Sequence, residues 1–271
     1  MPDTEKDQRP TGAVFDEISS YWTEIADALD TEKQVNFVKN NLSSSGLVLD
    51  LGCGSGRHAV QLGEAGYEIV GLDFSPRLLR IAKLNSIKAN VNLALVRADM
   101  SFLPFRTKVF SGIISLDSTF GYFPSKNEDL RSLREADRTL ADGSFFLLDV
   151  FNGERMSLRT GRFRVRDLFY GLARFQQFSA LFRWLEYPSF YMLQKRRVGK
   201  NNGILRDIWV FRDKKTGKTL VVRHAIRLYT LALLQRLLAE SELKVTKVYG
   251  GYENEAFTKD SRRLIITAAK A

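Results

Sequence analysis

The chain has 271 residues, of which 44% are hydrophobic, so it is long and apolar enough to bury one large core. No stretch approaches the roughly 18 uninterrupted apolar residues of a membrane-spanning helix, and the polar N-terminus lacks the pattern of a signal peptide. A single cysteine and two histidines exclude an internal disulfide and leave no obvious metal cluster. We therefore expect a soluble cytoplasmic protein that binds no metal, with a net charge of +10.

The N-terminal residues 1–12 are expected to be disordered, and residues 14–42 contain two helical patterns. From residue 47 onward, strand patterns alternate with helical patterns, which is typical of a mostly parallel sheet covered by helices on both faces. Asp142-Gly143 is predicted to end the helix before the fifth strand. The predicted elements are strands 47–51, 68–73, 93–97, 110–116, 145–151, 244–248 and 263–269, and helices 57–65, 76–88, 126–140 and 230–241.

The most informative segment is the turn after the first strand, where Gly52, Gly54 and Gly56 stand at every second position. Three glycines between a strand and a helix allow a ligand to approach the bare backbone, which indicates a nucleotide-like ligand. The dinucleotide pattern is G-x-G-x-x-G, so here the third glycine comes one residue early. Asp50 precedes the loop, and its charge disfavours a pyrophosphate and favours a cationic amino group.

Three further strands end in acids. Asp73 ends the second strand, 17 residues after Gly56, and an acid there accepts the hydroxyls of a ribose. Asp99 follows the third strand and Asp117 the fourth. Any one of them alone would be explained as a helix cap or turn residue, but acids at successive strand ends indicate a shared ligand crevice.

The string D-L-G-C-G-S-G at residues 50–56 resembles the first motif of the class I methyltransferases that depend on S-adenosylmethionine (SAM). The resemblance implies a Rossmann-like, doubly wound α/β fold with seven strands in the order 3-2-1-4-5-7-6 and an antiparallel last strand. It implies an enzyme of class EC 2.1.1 that releases S-adenosylhomocysteine. The positions that it assigns to the cofactor are Asp50, Gly52, Cys53, Gly54, Gly56, Asp73, Phe74, Ala98, Asp99, Met100 and Leu116.

Residues 155–229 differ in pattern from the rest of the chain, with β-branched and aromatic stretches separated by turn signals. Asn201-Asn202-Gly203 and the residues 213–217 are hairpin-type turns, so residues 203–212 and 219–229 are predicted to pair as antiparallel strands. Residues 172–186 are compatible with either a strand or a helix. We expect a single methyltransferase domain over residues 1–271, with a core of 14–152 and 230–271 and a β-rich insertion at 155–229 that covers the acceptor.

The positive charge is concentrated in this insertion, because residues 151–230 hold 18 lysines and arginines against 5 acids. A basic lobe rich in aromatic residues could bind a small anionic molecule, RNA, or an anionic membrane surface. The opposing interpretation is that the cations are solvated on the outer faces of strands while the aromatic side chains fill the inner face.

The segment T-F-G-Y-F at residues 119–123 and the tail at 248–252 resemble a branch of class I enzymes that methylate nitrogen or oxygen of small molecules. The absence of N/D-P-P-Y after the fourth strand argues against methylation of adenine in nucleic acid. The function predicted is methyl transfer to a small molecule, with an anionic one among the candidates; an RNA methyltransferase and a non-catalytic SAM-binding module remain alternatives. The weak catalytic candidates are Asp117, His224 and Tyr122, and Tyr21 and Trp22 could form a lid.

Overall fold

The computed structural model describes residues 11–42, 46–160, 182–199 and 203–270. Its main sheet has seven strands in the spatial order β10-β11-β5-β4-β1-β2-β3. The bounds are β1 Leu47–Leu51, β2 Glu68–Asp73, β3 Ala94–Arg97, β4 Phe110–Ser115, β5 Leu140–Phe151, β10 Leu243–Tyr249 and β11 Arg263–Lys270. Strands β10 and β11 are the sixth and seventh of this sheet in chain order, and β11 runs antiparallel to both of its neighbours. The predicted order and the antiparallel last strand are confirmed.

Helices cover both faces of this sheet. Successive residues of a strand face opposite sides. Accordingly, Leu49 packs in one apolar cluster with the helices at residues 126–139 and 231–239, while Val48 packs in another with the helices at residues 31–41 and 57–64. The helices are α1 Thr11–Glu17, α2 Ser19–Asp27, α3 Thr31–Asn41, α4 Arg57–Glu64, α5 Pro76–Lys88, α6 Lys126–Thr139, α7 Gly153–Thr160 and α8 Leu231–Ala239.

Several helix starts follow from capping side chains. The Ser75 hydroxyl accepts from the backbone N–H of Leu78 at the start of α5, and Ser125 forms a capping box with Glu128 at the start of α6. These caps place the two helices directly after the loops that follow β2 and β4. Ser75 and Ser125 therefore mark where the loops after β2 and β4 end.

Three sequence predictions differ from the structure. Helix α6 ends at Thr139 rather than at Asp142-Gly143, because Leu140 already pairs with Phe110 of β4 and the β4–β5 ladder then shifts register, with Gly143 at φ +68°. At the N-terminus, residues 11–12 begin helix α1 instead of being disordered, and three helices occupy residues 14–42 instead of two. Residues 1–10 lie outside the described residues.

The insertion forms a separate four-stranded antiparallel sheet in the order β6-β7-β8-β9. Its strands are β6 Phe182–Glu186, β7 Phe190–Val198, β8 Ile204–Asp213 and β9 Thr219–Arg227. The predicted pairing of 203–212 with 219–229 is confirmed by the ladder between β8 and β9. Of the ambiguous segment, residues 182–186 are a strand, whereas 172–181 and Asn201-Asn202 lie outside the described residues.

The insertion sheet is attached where the carboxyl ends of the main strands lie. Asn152, directly after β5, bridges Tyr229, and the backbone N–H of Arg227 donates to the carbonyl of Gly121 in the loop after β4 at 2.7 Å. Helices α1 and α2, which the sequence prediction places in the core, bury Val14 and Ile18 against the insertion sheet. This arrangement brings the glycine loop, the loop after β4 and the insertion together at the edge of the sheet where ligands bind in open α/β folds.

Candidate functional site

The three glycines of the loop after β1 all have positive φ, at +84°, +55° and +78° for Gly52, Gly54 and Gly56. A Cβ on Gly52 would lie 2.9 Å from Thr119, and one on Gly56 would lie 2.9 Å from the Cβ of Ala82. Packing therefore requires glycine at both of these positions. A Cβ on Gly54 would meet nothing nearer than Nε1 of Trp22, at 3.8 Å, so Gly54 is the glycine that faces the crevice.

Asp73 links this loop to the end of β2. Its Oδ2 accepts the N–H of Gly54 at 2.9 Å, and its Oδ1 accepts the N–H of Ser75 at 2.8 Å. Burial raises the pKa of Asp73, and hydrogen bonds from the backbone N–H groups of Ser75, Gly54 and Phe74 oppose that rise. A carboxylate has about four acceptor sites, so Asp73 retains capacity for one further donor. Its neighbour Phe74 is exposed, with the guanidinium of Arg97 at 5.9 Å from the ring.

The residues after β3 lie beside Asp73, because the N–H of Ala98 donates to the Asp73 carbonyl at 3.2 Å. Asp99 uses Oδ1 to accept from the backbone and hydroxyl of Ser101 at 2.8 and 2.7 Å, which fixes the side chain in a turn. Met100 is half-buried against the main core. Residues 98–100 thus form a short platform at the same edge as the glycine loop.

Asp50 is fully buried beneath the loop, and its Oδ2 finds no hydrogen-bond partner within the described ranges. Burial raises its pKa to about 7, with the positive charge of Arg57 opposing the shift. A cation next to Asp50 would stabilise the ionised carboxylate. Cys53 is also buried, and burial raises the pKa of its thiol well above the usual value, so this thiol is not an activated nucleophile.

Asp117 is part of a polar network that the sequence interpretation missed. The carboxylate pairs with Arg57, and its Oδ1 accepts from the Gln34 amide at 2.9 Å. Gln34 in turn accepts from Arg57 at 2.6 Å and lies 2.8 Å from Nε2 of His58. Leu116, the position before Asp117, is buried. Asp117 is therefore held by two donors from other elements, which does not favour its role as a free base.

No sequence pattern points to Gln34 or Arg57 as site residues. Gln34 stands on the amphipathic helix α3, where only its burial, at 6% exposure, sets it apart. Arg57 directly follows the last glycine of the loop, and that adjacency is the signal that could have identified it. Burial lowers the pKa of Arg57 to about 10, so the guanidinium remains charged near neutral pH.

A second buried network lies under Asp117. Asp149 of β5 accepts from Arg263 through both oxygens, at 2.6 Å each, and from the hydroxyl of Tyr252 at 2.5 Å. It also accepts the backbone N–H of Asp117 at 2.9 Å. Asp117 and Ser118 have φ of +53° and +61°, a left-handed conformation that non-glycine residues rarely adopt. The Asp149 network thus holds the turn at the end of β4.

The other two catalytic candidates lie together on the opposite side of the crevice. The rings of Tyr122 and His224 are 5.9 Å apart, and Trp209 meets His224 edge-on at 4.4 Å. Burial lowers the pKa of His224 to about 4, and Nδ1 has no hydrogen-bond partner in the part of the chain that the structure describes. Burial raises the pKa of Tyr122. Both groups are therefore neutral near pH 7.

Helices α1 and α2 lie between the glycine loop and the insertion sheet. Trp22 stacks on Trp209 with ring centroids 5.9 Å apart, and Tyr21 stacks on Phe211 at 4.8 Å. Asp16 of α1 accepts from the Ser75 hydroxyl at 2.7 Å, which ties the helix to the loop after β2. Trp22 thus packs on the insertion sheet and also lies over the glycine loop, where a lid is expected.

Within the described ranges, no group of three or more His, Cys, Asp and Glu side chains is arranged to hold a metal ion. None of the helices in those ranges has both the length and the apolar content to span a bilayer.

Comparison with known proteins finds similarity to methyltransferases. Residues 48–143 match the family model described as "Methyltransferase domain". Among curated proteins, the chain is similar to the putative methyltransferase YqeM of Bacillus subtilis, with 21% identity over 144 residues. That alignment covers 53% of this chain and 58% of YqeM, so the chain spans less than two thirds of this relative.

Two solved structures share the fold over nearly the whole chain. One is a S-adenosylmethionine-dependent methyltransferase from Clostridium acetobutylicum, with a TM-score of 0.75, 17% identity, and coverage of 96% of this chain and 98% of that one. The other is SAM-bound CalS10 from Micromonospora echinaspora, an amino pentose methyltransferase, with a TM-score of 0.61, 14% identity, and coverage of 89% and 90%. Residues 48–143 therefore match a methyltransferase domain, and the strand order of the whole sheet is that of the Rossmann-like methyltransferase fold.

Proposed function

We propose that this protein transfers a methyl group from SAM to nitrogen or oxygen of a small molecule. The observation that supports this most strongly is the glycine loop, in which Gly54 faces the crevice while its N–H binds Asp73. Two carboxylates, Asp50 and Asp73, adjoin this loop. They would repel a pyrophosphate, whereas SAM carries an ammonium and a sulfonium and no phosphate.

The crevice contains a suitable group for each part of SAM. The free acceptor capacity of Asp73 suits a ribose hydroxyl, and the platform of Ala98, Asp99 and Met100 adjoins it for the adenine ring. The unpartnered Oδ2 of Asp50 suits the ammonium. The proposed cofactor site also includes Gly52, Cys53, Gly56, Phe74 and Leu116.

SAM supplies a methyl group activated by the sulfonium, so the reaction is an in-line displacement that needs no metal ion. The acceptor lone pair forms the new bond to the methyl carbon, and the C–S bond breaks with its electron pair on sulfur, which gives S-adenosylhomocysteine. The protein's contribution is then positioning and exclusion of water. Asp117 is paired with Arg57, and His224 is a weak base with a pKa of about 4. Neither side chain is therefore suited to act as a general base toward the acceptor.

The binding site of the acceptor would lie between the glycine loop and the insertion sheet. Tyr122, Trp209 and His224 line this side, and helices α1 and α2 cover it. CalS10 is described as an amino pentose methyltransferase, which supports a small molecule as the acceptor.

Calorimetric titration with SAM and with NAD tests the proposal. SAM is expected to bind and NAD is not, and Asp73→Ala is expected to weaken SAM binding by about ten- to a hundredfold. This is the effect of losing hydrogen bonds to a charged acceptor, about 1.5–3 kcal/mol. Asp142→Ala is the matched control, because Asp142 is an exposed acid paired with Lys108 on the surface. Preference for NAD, or full SAM affinity in Asp73→Ala, would show that the cofactor assignment is wrong.

A second candidate function is methylation of RNA, and the outer face of the insertion sheet favours it. Its exposed cations are Lys195, Arg197, Arg206, Arg212 and Arg223. If RNA binds there, its affinity should fall steeply with salt, and Arg197→Gln, Arg206→Gln and Arg223→Gln should each flatten the logarithmic slope by about 0.7. Filter binding of tRNA across a salt series measures this, and a salt-independent affinity would eliminate RNA as the partner.

A further inference from the structure

The outer face of the insertion sheet carries an apolar row that crosses all four strands. The ladders place opposite one another one residue from each strand, and these four side chains, here called the outer apolar row, are Trp184, Leu193, Val210 and Val221. Their chain neighbours, among them Met192 and Phe211, are buried against helices α1 and α2, so by strand alternation the row faces the other side. Trp184 and Val221 are 41% and 43% exposed.

Arginines flank the outer apolar row on both sides. The register places one arginine beyond one side of the row and three beyond the other; these exposed residues are Arg212 on the first side and Arg197, Arg206 and Arg223 on the second. Among the outward-facing positions of the four strands, as far as the structure describes them, the only acid is Glu186, which accepts from Lys214 at 2.8 Å. The outer face is therefore positively charged around an apolar centre.

The charge of this face decides the class of partner that it suits. A second copy of this chain packed face to face would bring the arginines of both copies together, and like charges across an interface oppose association. An anionic partner would instead be attracted to them. Both RNA and an anionic bilayer meet this requirement, and the outer apolar row distinguishes between the two.

The composition of the row favours a bilayer over RNA. Proteins hold unpaired bases chiefly by stacking them on aromatic rings, but three of the four side chains of the row are aliphatic. The indole of Trp184 already stacks on Tyr191, with ring centroids 5.6 Å apart, and the Lys214 ammonium lies 4.7 Å from the Tyr191 ring centroid. At a bilayer surface, by contrast, indole and aliphatic side chains enter the headgroup region, and anionic headgroups attract arginines.

We infer that the outer face of the insertion sheet is a docking surface for an anionic lipid bilayer, with the outer apolar row in the headgroup region and the four arginines on anionic headgroups. Docking there leaves the glycine loop free, because the opposite face of the sheet packs on helices α1 and α2, and Trp22 of α2 lies over Gly54. The inference goes beyond the proposed methyl transfer and does not depend on it.

Flotation with lipid vesicles tests the docking surface. The full-length protein is mixed with vesicles of phosphatidylcholine that contain phosphatidylglycerol, and with vesicles of phosphatidylcholine alone. We expect the protein to float only with the anionic vesicles, and less of it to float as salt screens the attraction. No flotation, or equal flotation with both kinds of vesicle, would refute the inference. Binding of tRNA in the same buffer without binding of anionic vesicles would also refute it, and would support the second candidate function.

Variants of the outer face test where the protein meets the bilayer. The combined change Arg197→Gln, Arg206→Gln and Arg223→Gln should lower the partition coefficient for anionic vesicles by about a hundredfold, which is about fivefold for each charge removed. Val221→Asp should also release the protein, because it places a negative charge in the outer apolar row. All four positions are exposed, so the melting temperatures should stay close to that of the wild type.

Helix α8 provides the matched controls. Leu233 is 44% exposed, against 43% for Val221, and Arg236 is exposed as well. Leu233→Asp and Arg236→Gln should therefore keep wild-type flotation. If Val221→Asp does not fold, the arginine variant decides alone. Wild-type flotation of the arginine variant, or an equal loss in the controls, would show that the protein does not dock through this face.

Discussion

Gly54→Asn is expected to lose SAM affinity by at least about a hundredfold, or about 2.7 kcal/mol, while its melting temperature stays close to that of the wild type. The backbone at Gly54 has φ +55°, and asparagine tolerates this left-handed conformation better than other side chains. Its Cβ would meet no atom nearer than 3.8 Å, so the fold can accept it. The amide would nevertheless occupy the space over the loop that the cofactor needs. Calorimetric titration and a thermal melt measure the two effects separately.

Two matched variants separate the ligand effect from the backbone effect. Gly217→Asn places the same side chain at φ +68° in an exposed turn with no atom within 4 Å of its Cβ, and both stability and binding should be retained. Gly56→Asn brings a Cβ within 2.9 Å of Ala82 and should destabilise the fold itself. Wild-type SAM affinity in Gly54→Asn would mean that the cofactor does not approach this glycine.

The fold could be predicted from the sequence because its signals are local. Within about ten residues, the sequence shows an apolar strand that ends in an acid and is followed by glycines and the start of a helix. The alternation of strands and helices along the chain then predicts a mostly parallel sheet. The β8–β9 hairpin was likewise predicted from turn residues. The end of helix α6 was misplaced because Leu140 pairs with Phe110 of a strand 30 positions earlier, a contact that local propensity does not contain.

The pairing of side chains within the site could not be predicted, because it joins residues far apart in the chain. Asp117 stands at the position expected of a catalytic residue, but Gln34 and Arg57 reach it from two other elements. From the sequence, only the net charge of the insertion could be read, and not how its charged side chains divide between the two faces of the sheet. Strand alternation places the exposed cations Arg197, Arg206 and Arg223 on the outer face, whereas Arg196 is paired with Asp207 on the inner face.

The buried pair of Asp149 and Arg263 is the other position where one substitution should have a large effect. Asp149→Asn leaves the Arg263 guanidinium buried without its counter-charge, which is expected to lower the free energy of unfolding by about 3–5 kcal/mol. The same change weakens the acceptor for the backbone N–H of Asp117. That N–H helps hold Asp117 and Ser118 in their left-handed conformation, so the turn should relax as well.

Urea unfolding of Asp149→Asn, of Arg263→Met and of the double variant measures this coupling. The double variant should lose less stability than the sum of the two single variants, because removing both charges leaves neither of them unpaired. Glu240→Gln is the control, since it breaks the exposed pair with Arg236 on helix α8 and should cost only about 0.3–0.5 kcal/mol. Additive losses in the double variant would contradict a coupled pair. In that case the turn at Asp117 would have to be held by the backbone hydrogen bond from Ser118 to the Asp149 carbonyl rather than by the ion pair.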